Sequence, residues 1–463
     1  MEQSLSEMKG LTMRKLALGA AVLALTAGSV SITHAAPLSL KQCIAEAVRN
    51  SPQMAAARHD IAAAMYEITK KRGTTLPYLS GKLNAYEVNG SAVTPFSTLH
   101  SFSPESPPHQ AHFGPVGEES VGMTYPLYQY GSIMGLNNPP VVAAARAELE
   151  QAQSIARLSE QKVILDATAM FSYAVWYRDE LPLDEEMVKL SEKQLEIVRE
   201  QVSLGLRLPQ DVELAKAQLE ASRQAVTSAR QNADDAILQL GKLMGHEEDE
   251  RLEPENTKPP LPPLPSLREF LDKVMPGHPA LHVQEDKVEI AKQQYRVDRS
   301  TLLPSLSLNT IFEAAQNLAH FNGGSFHLNP TAFLSYIQVD IPIFDFGQRR
   351  AAVHQSEEKV LSEQERVKQI GLDLRNAITE SSRQIYDIDE KLAALRSDYL
   401  KASNDVLLAR AQRKEGLIDE LKLVESELAL LYARSSLESE KQMKQLKYAE
   451  LQNLSGGTWR WMQ

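Results

Sequence analysis

The sequence repeats itself once, and this internal duplication is the feature that most limits how the chain can fold. Residues 123–131 read MTYPLYQYG and residues 339–347 read VDIPIFDFG. In both runs apolar and polar residues alternate, a proline interrupts, and a glycine opens a long helical pattern. Such a run predicts a strand that continues into a helix. Its recurrence predicts two copies of one structural unit.

Matched positions occur in the same order in both halves, and their offset changes only in the segments between them. Insertions are therefore expected in loops. The matched pairs are Leu76 with Leu303, Gly131 with Gly347, Gly205 with Gly416, and Gly245 with Gly456. We divide the chain into a signal peptide (1–36), a first repeat (37–245), a Pro- and Glu-rich linker (246–265), a second repeat (266–457) and a C-terminal tail (458–463).

Each half is predicted to be mainly α-helical with a small β part. The expected order is a short helix, a helix of about 23 residues, a hairpin of two strands, a helix of over roughly 60 residues, a tight glycine turn and a helix of about 38 residues. The last two helices would form a long antiparallel hairpin. Pro182 lies inside the first long helix, where we expect a kink or a local break.

The helices after the glycine turns show the seven-residue spacing of a coiled coil. In the first half, one row of apolar residues runs from Val212 to Leu240, and a row of small residues begins at Ala215. In the second half the corresponding rows begin at Leu423 and Ser426, and the second row becomes polar. We therefore expect a weaker seam there.

The predicted strands alternate so that apolar residues share one face in both halves. Leu79, Met123, Leu308 and Val339 belong to the apolar set, and Lys82, Thr124, Asn309 and Asp340 to the polar set. This pattern fits a transmembrane β-barrel; a soluble sheet over a core is the alternative. Helices too long to cover so small a sheet favour the barrel. Four strands cannot close a barrel, so two or three copies must associate, and a conducting tube favours three copies with twelve strands.

The N-terminus carries an export signal. Met13-Arg14-Lys15 is cationic, residues 16–32 are apolar, and residues 33–36 offer small side chains for cleavage. A transmembrane anchor is the alternative interpretation of the apolar run, and both Met1 and Met13 are candidate start sites. The single cysteine, Cys43, excludes an internal disulfide framework. The net charge of −11 argues against a nucleic-acid partner.

Motifs of common enzymes and cofactor-binding proteins are absent from the sequence, including GxGxxG, a P-loop, HExxH and GxSxG. We therefore predict neither an enzyme nor a bound cofactor. Histidines in the two strand-connecting loops could capture a metal, but their irregular spacing favours exposed polar residues, so no metal site is predicted. These histidines are at positions 100, 109, 112, 320 and 327.

Taken together, the order, spacing and duplication of these motifs resemble the TolC-type family of outer-membrane efflux proteins. The motifs are LSLKQCIAEAVRNSP and its echo PSLREFLDKVMPGHP, YPLYQYG and IPIFDFG, and the segment from Gly205 to Gln218. The resemblance implies a homotrimer with a shared twelve-strand β-barrel in the outer membrane and an α-helical barrel that extends into the periplasm. There it would meet a periplasmic adaptor attached to an inner-membrane pump, as a passive exit duct for efflux or type I secretion.

The same resemblance assigns roles to residues near the two glycine turns and at the two strand-to-helix glycines. An adaptor would contact Gly205, Leu206, Gly416 and Leu417, although a purely structural role for the glycines is equally open. Asp211, Arg413, Lys422 and Glu425 would form the entrance gate, with Lys422 in place of an expected aspartate and an Asp211–Arg413 pair as a lock. The junction of barrel and tunnel would contain Pro126, Gly131, Pro342 and Gly347.

A different class of function also remains open. Long heptad helices and an export signal fit a soluble periplasmic coiled-coil scaffold or adaptor that never enters a membrane. The sequence leaves the cargo, the pump and the ion preference of the gate undetermined.

Overall fold

A computed structural model describes residues 38–87, 112–246, 252–255, 261–321, 324–328 and 331–457. The predicted signal peptide and C-terminal tail lie outside the described residues, as do the histidines at positions 100 and 109. Signal-peptide cleavage and the role of those histidines therefore stay predictions.

Both halves have the predicted order of helices and long strands. The first half contains α1 (Leu40–Asn50), α2 (Pro52–Gly73), β1 (Tyr78–Glu87), β2 (His112–Gln129), β3 (Ser132–Ile133), α3 (Pro140–Ser203) and α4 (Pro209–Met244). The second contains α5 (Leu267–Val274), a 3₁₀ turn (Met275–Gly277), α6 (Pro279–Ser300), β4 (Ser305–Phe321), β5 (Gly324–Leu328), β6 (Thr331–Asp340), α7 (Gln348–Lys414) and α8 (Glu420–Leu454). The mainly helical fold with a small sheet is thus confirmed.

The duplicated motifs at the start of each half are helix caps. Ser39 caps α1: its Oγ accepts from the Gln42 backbone N–H at 3.4 Å, and the Gln42 side chain accepts from the Ser39 N–H at 2.9 Å. Ser266 caps α5 through its Oγ, which accepts from the Glu269 backbone N–H at 3.4 Å. The following helices begin at a proline, whose missing N–H is not needed in the first turn.

The four long helices pack as two hairpins joined side by side. Helix α3 packs along α4, α7 packs along α8, and α3 also packs against α8. The shorter α2 and α6 continue this layer, with α2 on α3 and α6 between α3 and α7. Helices α4 and α7 therefore lie on the two outer sides of the layer.

The coiled-coil seam is confirmed in the first half and in part of the second, where Leu437 and Leu451 of the predicted row are buried. Ala215, Leu219 and Leu240 are buried as expected. Near the second turn the buried stripe of α8 instead runs through four residues spaced by three and four, while the predicted Leu423 and Leu430 are only half-buried. The cause is tertiary: α8 faces α3 as well as α7, so its burial is centred between two neighbours. The buried residues are Leu421, Val424, Leu428 and Leu431.

Pro182 does not break the first long helix, contrary to one of the two outcomes predicted for it. Helix α3 continues for 64 residues through this position. The proline has no N–H to offer the carbonyl of Arg178, so one helical hydrogen bond is missing there. Leu183 and Met187 anchor the following turns against α8.

Among the described residues, no helix has the combination of length and hydrophobicity needed to cross a membrane.

The described parts of the predicted linker pack onto both halves. Leu252 is buried in the first-half core, and Leu38 exchanges two backbone hydrogen bonds of 2.9 Å with residues 253 and 255. Leu261 packs into the second-half core, and the Tyr448 hydroxyl donates to the carbonyl of Pro262 at 3.0 Å. This segment therefore ties the two repeats together.

The sheet is antiparallel, with its long strands in the order β1-β2-β4-β6. Short strands β3 and β5, which the sequence did not predict, pair with β2 and β4 respectively. Strand β6 ends at Asp340. The strand predicted within residues 339–347 therefore ends earlier than expected, before Pro342, which has no N–H for a strand ladder.

Candidate functional site

One face of the sheet is apolar, as the alternation predicted. Across β2, β4 and β6, Tyr125 is in register with Leu308, and Leu308 with Ile337. A second row joins Val121, Phe312 and Phe333. Directly opposed residues of an antiparallel sheet point to the same side, so both rows belong to one mainly apolar face. Thr310 and Ser335 also lie on this face and hydrogen-bond each other at 3.2 Å.

The other face carries a hydrogen-bonded polar row across three strands. The Thr124 hydroxyl donates to Asn309 Oδ1 at 2.9 Å, and Asn309 Nδ2 donates to Gln338 Oε1 at 3.3 Å. Asn309 is only 8% exposed, so these bonds satisfy an amide that burial would otherwise penalise. The sheet thus separates an apolar surface from a polar one.

Both outer strands of this sheet have an unpaired edge. Within the described residues, β1 pairs only with β2, and β6 pairs with β4 alone. An unpaired edge presents backbone N–H and C=O groups that need a partner or water. The sheet is therefore complete only if another strand or solvent covers each edge.

The two predicted junction glycines have the backbone conformation that favours glycine. Gly131 has φ of +71° and Gly347 has φ of +86°, and the aromatic residue before each also has positive φ. The Asp345 carboxylate accepts from the Gly347 and Arg349 backbone N–H groups at 3.1 and 3.2 Å, which fixes the start of α7. Two prolines precede these glycines, Pro126 beside a register shift in β2 and Pro342 after the end of β6.

The two helix-hairpin turns have the same geometry. Gly205 and Gly416 have φ of +73° and +71°. The N–H after each glycine donates back across the turn, from Leu206 to the Gln201 carbonyl at 2.8 Å and from Leu417 to that of Gln412 at 2.9 Å. This is the Schellman arrangement that closes a helix with glycine. Both leucines are exposed, so each turn presents an apolar side chain at its tip.

The four predicted gate residues lie near these turns, but the Asp211–Arg413 lock is not formed within the chain. Asp211 Oδ2 accepts from the Leu208 backbone N–H at 3.3 Å and caps α4. Arg413 lies 3.7 Å from Glu420 Oε2, and Lys193 lies 2.5 Å from Glu420 Oε1. Glu420 therefore joins α3, α7 and α8, a role the sequence did not reveal. Lys193 holds the pKa of Glu420 below its ordinary value through its hydrogen bond and charge.

Lys422 and Glu425, by contrast, lie together in one groove. Lys422 Nζ and Glu425 Oε2 are 3.4 Å apart. The groove lies between α7 and α8, next to the second turn, and has a volume of about 530 Å³. Asp398, Lys401 and Asp405 on α7 complete its charged lining. Charges of both signs therefore face the same space.

A pair of buried carboxyl groups in the middle of α3 was also missed by sequence reasoning. Glu180 and Asp184 lie one turn apart and are both buried. The Ser435 hydroxyl of α8 donates to Glu180. Burial, and secondarily the charge of Glu180, raise the pKa of Asp184 to about 6. The spacing of the two acids was visible in the sequence, but their burial against α8 was not.

Two long helical hairpins that continue into a sheet with four long strands and one mainly apolar face are the features of the TolC-like channel fold. The family model described as "Outer membrane efflux protein" matches residues 43–246 and 271–457. The chain therefore belongs to the outer membrane efflux protein family. This membership agrees with the prediction that the chain is not an enzyme.

Similar proteins support this assignment at low sequence identity. The outer membrane efflux protein BepC of Brucella suis biovar 1 (strain 1330) is 24% identical over 282 residues, which are 61% of this chain and 59% of BepC. The crystal structure of the outer membrane protein VceC from Vibrio cholerae has a TM-score of 0.69 at 15% identity, over 90% of this chain and 96% of VceC. The CmeC outer membrane channel of Campylobacter jejuni has a TM-score of 0.71 at 14% identity, over 92% and 87%.

Proposed function

We propose that this protein is an outer-membrane channel that serves as the exit duct of a tripartite efflux or type I secretion system. Membership of the outer membrane efflux protein family supports both the location in the outer membrane and the role in efflux. Three copies would share one twelve-strand barrel, and their helices would form a tunnel that extends into the periplasm.

The observation that carries this proposal is the sheet with an apolar face and two unpaired edges. A hydrocarbon environment favours the exposed apolar rows but does not tolerate unpaired backbone groups. The edges of β1 and β6 can both be satisfied if β6 of one copy pairs with β1 of the next. Three copies then close twelve strands around the polar face that contains Thr124 and Asn309.

The outer helices offer surfaces for the same association. On α7, Tyr386, Leu400 and Leu407 are exposed at multiples of seven residues, which is a coiled-coil stripe that the described residues leave uncovered. On α4, small exposed side chains at Ala217 and Ala221 leave room for large residues of a neighbouring helix. We infer that α7 of one copy packs against α4 of the next.

The helix turns are the proposed contact with a periplasmic adaptor. Leu206 and Leu417 are exposed at the two tips, where apolar side chains fit a protein partner better than water. The duct itself would be passive, with energy and much of the cargo choice supplied by an inner-membrane pump. The gate would lie beside these tips, around Lys422 and Glu425.

Membrane fractionation combined with mass measurement tests the channel proposal against the soluble scaffold. After lysis without detergent, we expect the protein in the outer-membrane fraction. After extraction in detergent, light scattering is expected to give about three times the mass of one mature chain. A soluble protein in the absence of detergent would refute the channel and support the scaffold. A membrane-bound monomer would refute the closed barrel.

The proposed gate predicts opposite effects of its two central charges. In planar bilayers, Glu425→Ala is expected to lower the cation-to-anion permeability ratio, and Lys422→Ala to raise it, each by roughly twofold or more, because fixed charges at a narrow entrance select counter-ions. Glu213→Ala is the matched control, since Glu213 is an exposed acid of α4 paired with Lys216. Equal ratios in the wild type and both gate variants would remove Lys422 and Glu425 from the gate.

A further inference from the structure

We propose that residues 130–139, which join β2 to α3, form an apolar element that lies in the membrane–water interface. We call this segment the junction loop. The inference rests on the proposed membrane location of the sheet and adds a lipid-binding site outside the barrel strands. The loop would contact lipid molecules at the depth where headgroups meet acyl chains.

The junction loop is apolar, exposed and free of charge. Ile133, Met134 and Leu136 are 57%, 41% and 62% exposed. The sequence contains no Asp, Glu, Lys or Arg between Glu119 and Arg146, in a chain whose charged residues make up 24%. Three large apolar side chains on a loop, without an intervening charge, are unfavourable in water and favourable at a lipid surface.

The loop is positioned by its backbone hydrogen bonds and by its contact with Thr75, which follows α2. The Met134 N–H donates to the Leu127 carbonyl at 2.8 Å, and that of Leu136 donates to the Ile133 carbonyl at 2.8 Å. Gly135 lies so close to Thr75 that a Cβ at this position would be 2.8 Å from the Thr75 hydroxyl. Six residues have positive φ: Tyr130, Gly131, Met134, Gly135, Asn137 and Asn138.

The junction loop also extends the apolar face of the sheet. Beyond Pro126 the register of β2 against β4 shifts, so that Tyr128 lies opposite Leu306. Ile133 of β3 lies opposite Tyr128, and Leu306 lies opposite Val339 of β6. The four residues therefore form one row across four strands, on the face proposed to contact lipid. Ile133 is the end of that row.

Position in the fold favours lipid over a second copy of the chain as the occupant. The loop joins β2, which pairs on both sides within the chain, to α3, which packs between α4 and α8. Neighbouring copies would meet instead at β1, β6, α4 and α7. The second repeat has no such loop, since α7 begins directly after Gly347 with a glutamine and two arginines.

Depth-dependent fluorescence quenching tests this site. The background is Cys43→Ala, which removes the single cysteine. Met134→Cys, Ile337→Cys and Glu213→Cys are each labelled with an environment-sensitive dye in the full chain and reconstituted in phosphatidylcholine vesicles that contain nitroxide lipids. We expect shallow nitroxides to quench the dye at position 134 at least about twofold more than deep ones. Deep nitroxides should quench position 337 most, and position 213 should not be quenched.

The outcomes separate this inference from the proposed function. If position 337 is quenched and position 134 is not, the junction loop does not contact lipid, although the sheet does. A blue-shifted but unquenched dye at position 134 would mean that protein covers the loop, which also overturns the inference. If position 337 is not quenched, the membrane location of the sheet itself is wrong.

Discussion

Ile337→Arg is expected to prevent stable insertion of the protein into the outer membrane. Ile337 is 62% exposed on the apolar face of β6, opposite Leu308. An arginine on the lipid face of a β-barrel costs about 2–4 kcal/mol near the bilayer midplane. Because each of three copies would carry the substitution, the assembly would lose roughly 6–12 kcal/mol. This loss is large enough to remove the trimer from the outer-membrane fraction.

The neighbouring residue provides a matched control. Gln338→Arg adds the same charge one position along the same strand, but on the polar face, where it costs one 3.3 Å hydrogen bond with Asn309. We expect this variant to reach the membrane in near-normal amounts and to raise the anion permeability of the channel. Equal membrane levels for both variants would contradict the assignment of the two faces. If only Gln338→Arg were lost from the membrane, the face that carries Gln338 would be the one that contacts lipid.

Much of the fold could be predicted because the relevant signals are local and occur twice. The serine caps before α1 and α5, the alternation of β4 and β6, and the glycines at the two hairpin turns each act within a few residues. The register shift after Pro126 moves Tyr128 to the face opposite to the one that simple alternation predicts. Along the rest of the paired strands, the predicted alternation of apolar and polar residues is kept. Because the sequence is duplicated, each predicted element could be compared with its counterpart in the other half.

The failures share a different physical origin, because each depends on a contact between distant parts of the chain. Near the second turn, contact with α3 shifts the buried face of α8, and the heptad pattern of α8 alone cannot show this. Glu420 contacts Lys193 of α3 as well as Arg413 of α7, a pairing that the sequence does not reveal. Strand β5 lies in the segment predicted as a loop, because the composition of this segment carries no clear strand signal. The acid pair in α3 depends on burial that only tertiary packing creates.

That acid pair yields the second large prediction: Asp184→Asn is expected to stabilise the protein above pH 6. Asp184 is 6% exposed and lies one turn from Glu180. The pKa of Asp184 rises from 3.8 to about 6, which corresponds to at most about 3 kcal/mol. Above pH 6 the wild type buries a charged carboxylate, whereas asparagine keeps the shape without the charge.

The sign of the pH dependence follows from the raised pKa. Between about pH 4 and pH 6 the folded chain binds a proton at Asp184 that the unfolded chain has released, so this group favours folding most at low pH. Its contribution is lost as the pH rises through about 6. In detergent, we expect the variant to unfold about 3 °C above the wild type at pH 8, and the difference to vanish near pH 4.

Glu186→Gln is the control for this measurement, because Glu186 is an exposed acid on α3 two residues from Asp184. Its effect on the unfolding temperature should be small at every pH, since an exposed carboxylate keeps its water. Comparing the two variants removes the contribution of all other titrating groups. If Asp184→Asn changed the unfolding temperature by the same amount at pH 4 and pH 8, its effect would come from packing. The carboxyl pair would then not respond to pH.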